Sequence, residues 1–196
     1  MIMEYASDSV EEKIITATIE CLEKNGVQGT TNRKIAEIAG INSAAINYYF
    51  RSKEILVQHA MEKTLANAFD WKDIATLPGN TPQEHCAAIF INLVEGAVNY
   101  PGITRAHFYD LLSAGNYNTL IVKRMNEFIM HLGADLQERE LHMEKHALEN
   151  ACMQITSAVF FFILSPKLFQ SSFGLDMTDP VQSSAFITQL VNQLLR

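Results

Sequence analysis

Proline and glycine are scarce in this chain of 196 residues, at 5 and 9, so few positions are bound to interrupt a helix. The three cysteines, Cys21, Cys86 and Cys152, are odd in number and far apart, with no CxxC pair. That excludes a disulfide framework and reads as small buried side chains. No strand-like alternation of any length occurs, nor any internal repeat or low-complexity tract. The opening MIMEYASDSVEEK is acidic and lacks an apolar core, so no secretory signal is visible. The most apolar run, from Ile155 to Leu164, is about half of the roughly 20 residues that cross a bilayer. A cytoplasmic protein without a membrane partner is expected. There is no Gly-rich phosphate loop, no paired-carboxylate motif, and no Ser-His-Asp or Cys-His set with a supporting signature. Neither an enzyme nor a cofactor is predicted.

What is present is 48% hydrophobic and 19% charged, with a net charge of −7. The charge is unevenly spread. From Gly26 to Lys53, Arg33, Lys34, Arg51 and Lys53 stand against Glu37 alone, a net +3, which leaves −10 on the remainder. One small basic island on an acidic body suits a protein that docks on a polyanion through one end only.

The helices can be placed from their caps. Ser9 with Glu12 forms a capping box for a helix over about 10–25, stopped by Asn25-Gly26. Thr30 and Thr31 offer the next N-cap, for a short helix ending at Gly40, where a positive φ is tolerated. Asn42 caps a third, reaching Phe50. Two helices of about two turns joined by Ala-Gly-Ile-Asn make a helix-turn-helix pattern. Ser52 caps a fourth helix expected to run to about Ala75. Thr81-Pro82-Gln83-Glu84 starts another, stopped at Pro101-Gly102. Helices near 103–114, 119–139 and 144–164 follow, then a loop over about 165–179 with room for one turn of helix, and a last helix capped by Asp179. The fold class is all-α: a three-helix helix-turn-helix head over 1–53, joined to a larger helical body over 54–196.

On a helical wheel from Ser43 to Phe50, Ala45, Ile46, Tyr49 and Phe50 fall on an inward arc, and Ser43, Ala44, Asn47 and Tyr48 on an outward one. Small Ser43 and Ala44 let the backbone approach base edges. Asn47 adds an amide able to pair bidentately with adenine. Tyr49, at the edge of the inward arc, can pack its ring while its hydroxyl reaches a phosphate. Lys53, in the first turn of helix four, can meet a phosphate together with the free amides there, and Thr31 and Arg33 can clamp the other strand. The DNA-binding candidates are thus Thr31, Arg33, Asn42, Ser43, Ala44, Asn47, Tyr48, Tyr49 and Lys53.

The run from Thr30-Thr31-Asn32-Arg33-Lys34 through Ile35-Ala36-Glu37-Ile38-Ala39-Gly40-Ile41, then Ala45-Ile46-Asn47-Tyr48-Tyr49-Phe50-Arg51-Ser52-Lys53-Glu54, resembles the tetracycline-repressor (TetR) family over about residues 10–60. The resemblance implies an all-helical homodimer whose last two long helices form a four-helix bundle, and a body that encloses a small-molecule effector. It further implies repression of a double-stranded DNA operator, relieved by that ligand. Two positions depart from the common pattern: Ala44 stands where Gly is frequent, and Asn47 where Tyr often stands.

In the body, Trp71, Phe90, Phe108, Tyr109, Met125 and Phe128 are candidate ligand-lining residues, since aromatic and Met side chains suit apolar cavities. Phe160-Phe161-Phe162, with Leu148, Cys152, Ile155 and Val159, is apolar on more than one side and points to burial against both the body and a partner. His142 and His146 are spaced i, i+4, but with no third ligand in register a solvated face is the reading and no metal is predicted. Two alternatives stay open: an architectural or cell-division factor that uses the head without an inducer, and a helical enzyme or metal protein centred on those histidines.

Overall fold

The computed structural model describes residues 9–196, which form helices and no strand. The helices are α1 (Val10–Gly29), α2 (Asn32–Ala39), α3 (Ser43–Phe50), α4 (Lys53–Ala68), α5 (Trp71–Ile74), α6 (Pro82–Asn99), α7 (Pro101–Ala114), α8 (Leu120–Glu138), α9 (Lys145–Leu164), α10 (Gln170–Phe173) and α11 (Pro180–Leu194). The chain is all-α, with a helix-turn-helix head and a helical body.

Most ends are set by the caps visible in the sequence. Ser9 accepts from the Glu12 amide, but the Glu12 carboxylate turns to Lys63 on α4 instead of back to Ser9, so the capping box is only half made. The axis of α1 bends at Gly26, whose φ of 67° and ψ of −179° no L residue adopts cheaply. Thr31 caps α2 by accepting from the Lys34 amide, and Gly40 closes it at φ 66°. Thr81 and Asp179 cap α6 and α11, each followed by proline at the first helical position.

Three expectations need correction. Helix four does not run to Ala75: it ends at Ala68, and Asp70 accepts from the Lys72 amide to start the separate turn α5. Pro101 does not merely stop α6. Its missing N–H costs nothing at a first helical position, and it opens α7. The apolar run is longer than ten residues in effect, because all of Lys145–Leu164 is one helix, long and apolar enough by length and composition to cross a membrane. Its apolar side chains Leu148, Cys152, Ile155, Val159, Phe160 and Phe162 are buried within the protein.

The chain packs as two compact units, and the division differs from a cut at 53/54. The first comprises the described residues up to Asn67 together with Pro101–Asn116, and the second comprises Ala68–Tyr100 and Tyr117–Arg196. Residues 1–8 of the expected head lie outside the described residues.

In the first unit, Ile14, Cys21 and Leu22 of α1, Ile35 of α2, Ile46 and Phe50 of α3 and Leu56 and Ala60 of α4 make one core, which Ile103 and Ala106 of α7 complete. Burying the Ile, Leu and Phe side chains of this core contributes about 1.5–3 kcal/mol each. The approach of α7 is close enough to require glycine: a Cβ on Gly102 would lie 2.0 Å from the carbonyl oxygen of Glu23. The Ile103 amide donates to Glu23 Oε2 at 2.8 Å, which satisfies one of the free donors at the start of α7.

In the second unit α6 packs on α8, α9 and α11. Phe90 of α6 is fully buried and meets Phe128 of α8 edge to face at 5.7 Å. His85, with no exposed surface, donates from Nδ1 to the Leu77 carbonyl, and its Nε2 lies 3.2 Å from Asp135, which also pairs with Arg139. All three cysteines are free and buried, and burial pushes the Cys152 thiol up to about 11, so it stays protonated and inert at neutral pH.

Candidate nucleic-acid interface

The helix-turn-helix is held by its own core, and that core decides which side chains are left outside. Ile46 and Phe50 of α3 are buried, Ala45 is half-buried, and Ser43, Ala44, Asn47, Tyr48 and Tyr49 are exposed. The outward arc is therefore continuous over two turns. Tyr49 emerges further than the wheel suggests, at 41% exposed, with its ring edge to face on Tyr48 at 5.2 Å. Tyr48, at 83%, is the most exposed large apolar side chain in the molecule's described residues. Asn42 accepts from the Ala44 amide at 2.9 Å, so its side chain is engaged in capping α3.

Around this arc the cations divide by task. Lys34 is occupied structurally: its ammonium donates to Asn25 Oδ1 at 2.8 Å and to the Gly29 carbonyl at 3.0 Å, closing the end of α1. Arg33 and Arg51 are exposed. Lys53 is half-buried and its Nζ lies 3.5 Å from the Thr30 carbonyl, beside the start of α2. That contact brings Lys53 and the exposed Thr31 to the same end of α2, although 22 positions separate them in sequence.

Between α3 and α4 the chain turns on Arg51, whose φ of 58° and ψ of −40° form a tight turn closed by the Ser52 amide onto the Phe50 carbonyl. Ser52 then accepts from the Ile55 amide at 3.3 Å and starts α4. A non-glycine residue in this conformation stores strain of order 1–3 kcal/mol, and here it sits where α3 is aimed.

The six candidate ligand-lining residues are not brought to one place. Phe108 and Tyr109 lie on α7 in the first unit, where Phe108 is buried and the Tyr109 hydroxyl accepts from Gln28 at 2.6 Å. Tyr109 lines an open cleft of about 410 Å³ with residues 23–28 and Arg105. Trp71, Phe90, Met125 and Phe128 belong to the second unit. There Trp71 and Phe128 line a cavity of about 50 Å³ with Phe69, Arg124, Glu127 and His131, three residues the sequence did not single out plus the His131 whose ring meets Trp71 at 5.5 Å, tilted by 48°. Helical periodicity cannot show which helices face one another, so it could not assemble this group.

His142 and His146 do not share a helix, since α9 begins at Lys145, and both are exposed. Among the described residues no group of three or more His, Cys, Asp or Glu is placed to hold a metal ion.

Comparison with known proteins follows the same division. Residues 14–60 match the family model described as bacterial regulatory proteins, tetR family. A probable HTH-type transcriptional regulator, YttP, of Bacillus subtilis (strain 168) is 26% identical over 129 residues, which cover 62% of this chain and 58% of that protein. The match thus spans less than two thirds of the relative's length. Among solved structures, a transcriptional regulator from Rhodococcus sp. Rha1 aligns over 95% of this chain and 96% of its own, with a TM-score of 0.76 and 16% identity. The transcriptional regulator FadR from Bacillus subtilis, solved in complex with stearoyl-CoA, aligns over 94% of this chain and 97% of its own, with a TM-score of 0.67 and 18% identity. At these identities the two structures establish a shared fold across nearly the whole chain.

Proposed function

We propose, from the premise that residues 14–60 form the DNA-binding domain of the tetR-family regulators, that this chain is a ligand-responsive transcriptional repressor. It binds a pseudo-palindromic operator as a homodimer and is released by a small apolar or amphipathic molecule. The observation that carries the reading is the exposed arc Ser43, Ala44, Asn47 and Tyr48 on a helix whose opposite face, Ile46 and Phe50, is locked in the head's core. A helix so anchored can enter a major groove without losing its own support. Ser43, Ala44 and Asn47 read base edges, while Thr31, Arg33, Tyr48, Tyr49 and Lys53 hold the backbone on either side and Asn42 fixes the start of α3.

The functional boundary is placed after Lys53, where the last phosphate-facing residue gives way to the body. Dimerisation is assigned to α9 and α11, where Met153, Phe161 and Val181 are exposed at 45, 52 and 77%. The effector is assigned to the second unit's Trp71, Phe90, Met125 and Phe128, of which Trp71 and Phe128 line the cavity. The cavity there, at about 50 Å³, is well under the roughly 300 Å³ a ligand site needs, so binding displaces Trp71 or Phe69. The fold neighbour that holds stearoyl-CoA supports a body of this kind opening for a long apolar ligand. Such a ligand releases DNA only if it binds the released state more tightly than the DNA-bound one.

The test is a salt titration of binding to operator fragments selected from random-sequence DNA by the wild-type protein. Replacing Lys53 with Ala is expected to weaken all DNA about equally and to reduce the log-log salt slope by about one. An unchanged slope removes Lys53 from the phosphate contacts.

A further inference from the structure

Asn32, the first residue of α2, donates from Nδ2 to Oδ1 of Asn47 on α3 at 3.2 Å. It is half-buried, whereas Asn47 is exposed on the outward arc. Among the described residues this is the one side-chain hydrogen bond that either amide makes, and the Oδ1 of Asn32 is buried without a partner. Capping of α2 is done by Thr31, so Asn32 is not needed for the helix start.

A free asparagine amide has two orientations of nearly equal energy, related by a half-turn, that exchange donor and acceptor. On a base-reading residue the two orientations read different edges. A leading NH2 group pairs with acceptors, purine N7, guanine O6 or thymine O4, whereas a leading carbonyl pairs with the exocyclic amines of adenine or cytosine. The Asn32 bond breaks the tie, because turning both amides over would put the Asn32 NH2 group, with two donors to satisfy, into the buried position that its Oδ1 now holds. It holds the Asn47 carbonyl toward α2 and leaves the NH2 group to lead.

We infer that Asn32 is a positioning residue for base recognition: it fixes the Asn47 amide with its NH2 outward and so makes the head prefer an acceptor edge at the base pair Asn47 meets. This rests on the proposed base-reading role of Asn47 and extends it to a residue that touches no base itself. The cost of ordering the amide is met by folding of the head instead of by binding.

The experiment measures Kd at fixed salt for selected operator fragments carrying each of the four base pairs at every position. It uses the full chain as wild type, Asn47→Ala, Asn32→Ala, Asn32→Asp and the Asn32→Ala/Asn47→Ala double variant. Asn47→Ala is expected to flatten preference at one position by about tenfold. Asn32→Ala should flatten the same position by part of that and no other, and the double variant should match Asn47→Ala alone, since the second change has nothing left to orient. Asn32→Asp keeps the shape but only accepts, so it turns the Asn47 NH2 inward and moves the preference toward a base presenting an amine. Its added negative charge weakens all sequences together and cancels from the ratios. A flat profile for Asn47→Ala overturns the base-reading role and this inference with it. A selective Asn47→Ala with a silent Asn32→Ala, additive losses in the double variant, or an unaltered base order in Asn32→Asp overturns the positioning role alone.

Discussion

Gly102 shows how much one hydrogen atom in place of a methyl group can decide. A Cβ there would meet the backbone of Glu23, its carbonyl oxygen at 2.0 Å and its carbonyl carbon at 2.7 Å. Backbone inside α1 cannot step aside as the tip of a long side chain can, so accommodation requires α7 to move off α1. Gly102→Ala is expected to destabilise the protein by roughly 2–4 kcal/mol, beyond the usual cost of overpacking, read as a fall in thermal midpoint. Gly96→Ala is the matched control, a helical glycine with nothing within 4 Å of its would-be Cβ. It should be neutral or stabilise by about 0.5–1 kcal/mol. Equal effects of the two changes would dismiss the tight approach. At this scale the sequence was most readable where a residue acts on its own helix, as Thr31, Asn42, Ser52, Thr81 and Asp179 do by capping within three positions. It gave no hint of Gly102, which read as a helix stop, because the atom it makes room for is 79 positions away.

Among elements, α4 and α7 are joined by Thr64 and His107, with Oγ1 and Nε2 3.0 Å apart. Burial without a compensating charge pushes the His107 ring down to about 4. The sign follows directly. The folded state resists protonation that the unfolded chain accepts near 6.5, so between about pH 6.5 and 4 the unfolded state binds more protons and stability falls as pH falls. His107→Gln keeps a hydrogen-bonding group toward Thr64 without the titration. Denaturant unfolding at pH 7.5 and pH 5 is expected to show a smaller loss for the variant than for the wild type, by about 1–2 kcal/mol at the lower pH. An identical loss in both would assign the acid sensitivity to other groups. The recognition helix was legible at this level because its buried and exposed sides follow from one helix's own period. The aromatic group in the second unit was not, because gathering Trp71, Phe128 and His131 depends on how α5 and α8 meet.

For the whole molecule, the assignment of α9 and α11 to a dimer interface makes Phe161 the sharpest probe. It is 52% exposed, between the buried Phe160 and Phe162. Phe161→Glu places a charge on the proposed interface and removes from the protomer one edge-to-face contact, with Phe162, so the variant should elute as a folded monomer and lose most operator affinity along with its second half-site. Light scattering that still gives a dimer would move the interface elsewhere. The same residue marks a limit of sequence reading, since a run of three phenylalanines says that more than one side is apolar but not which ring faces out.

The return of α7 to the first unit has a consequence in time as well as in space. The head's core draws on residues up to Ala60 and is completed by Ile103 and Ala106, after an excursion through the whole of α5 and α6. During synthesis at about 5–20 residues per second, several seconds separate the appearance of the first group from that of the second. For that interval α1 is a helix with part of its apolar face bare, and the loop that must close over it is long enough to slow the step. A nascent DNA-binding head of this design reaches its final form only after part of the body has been made.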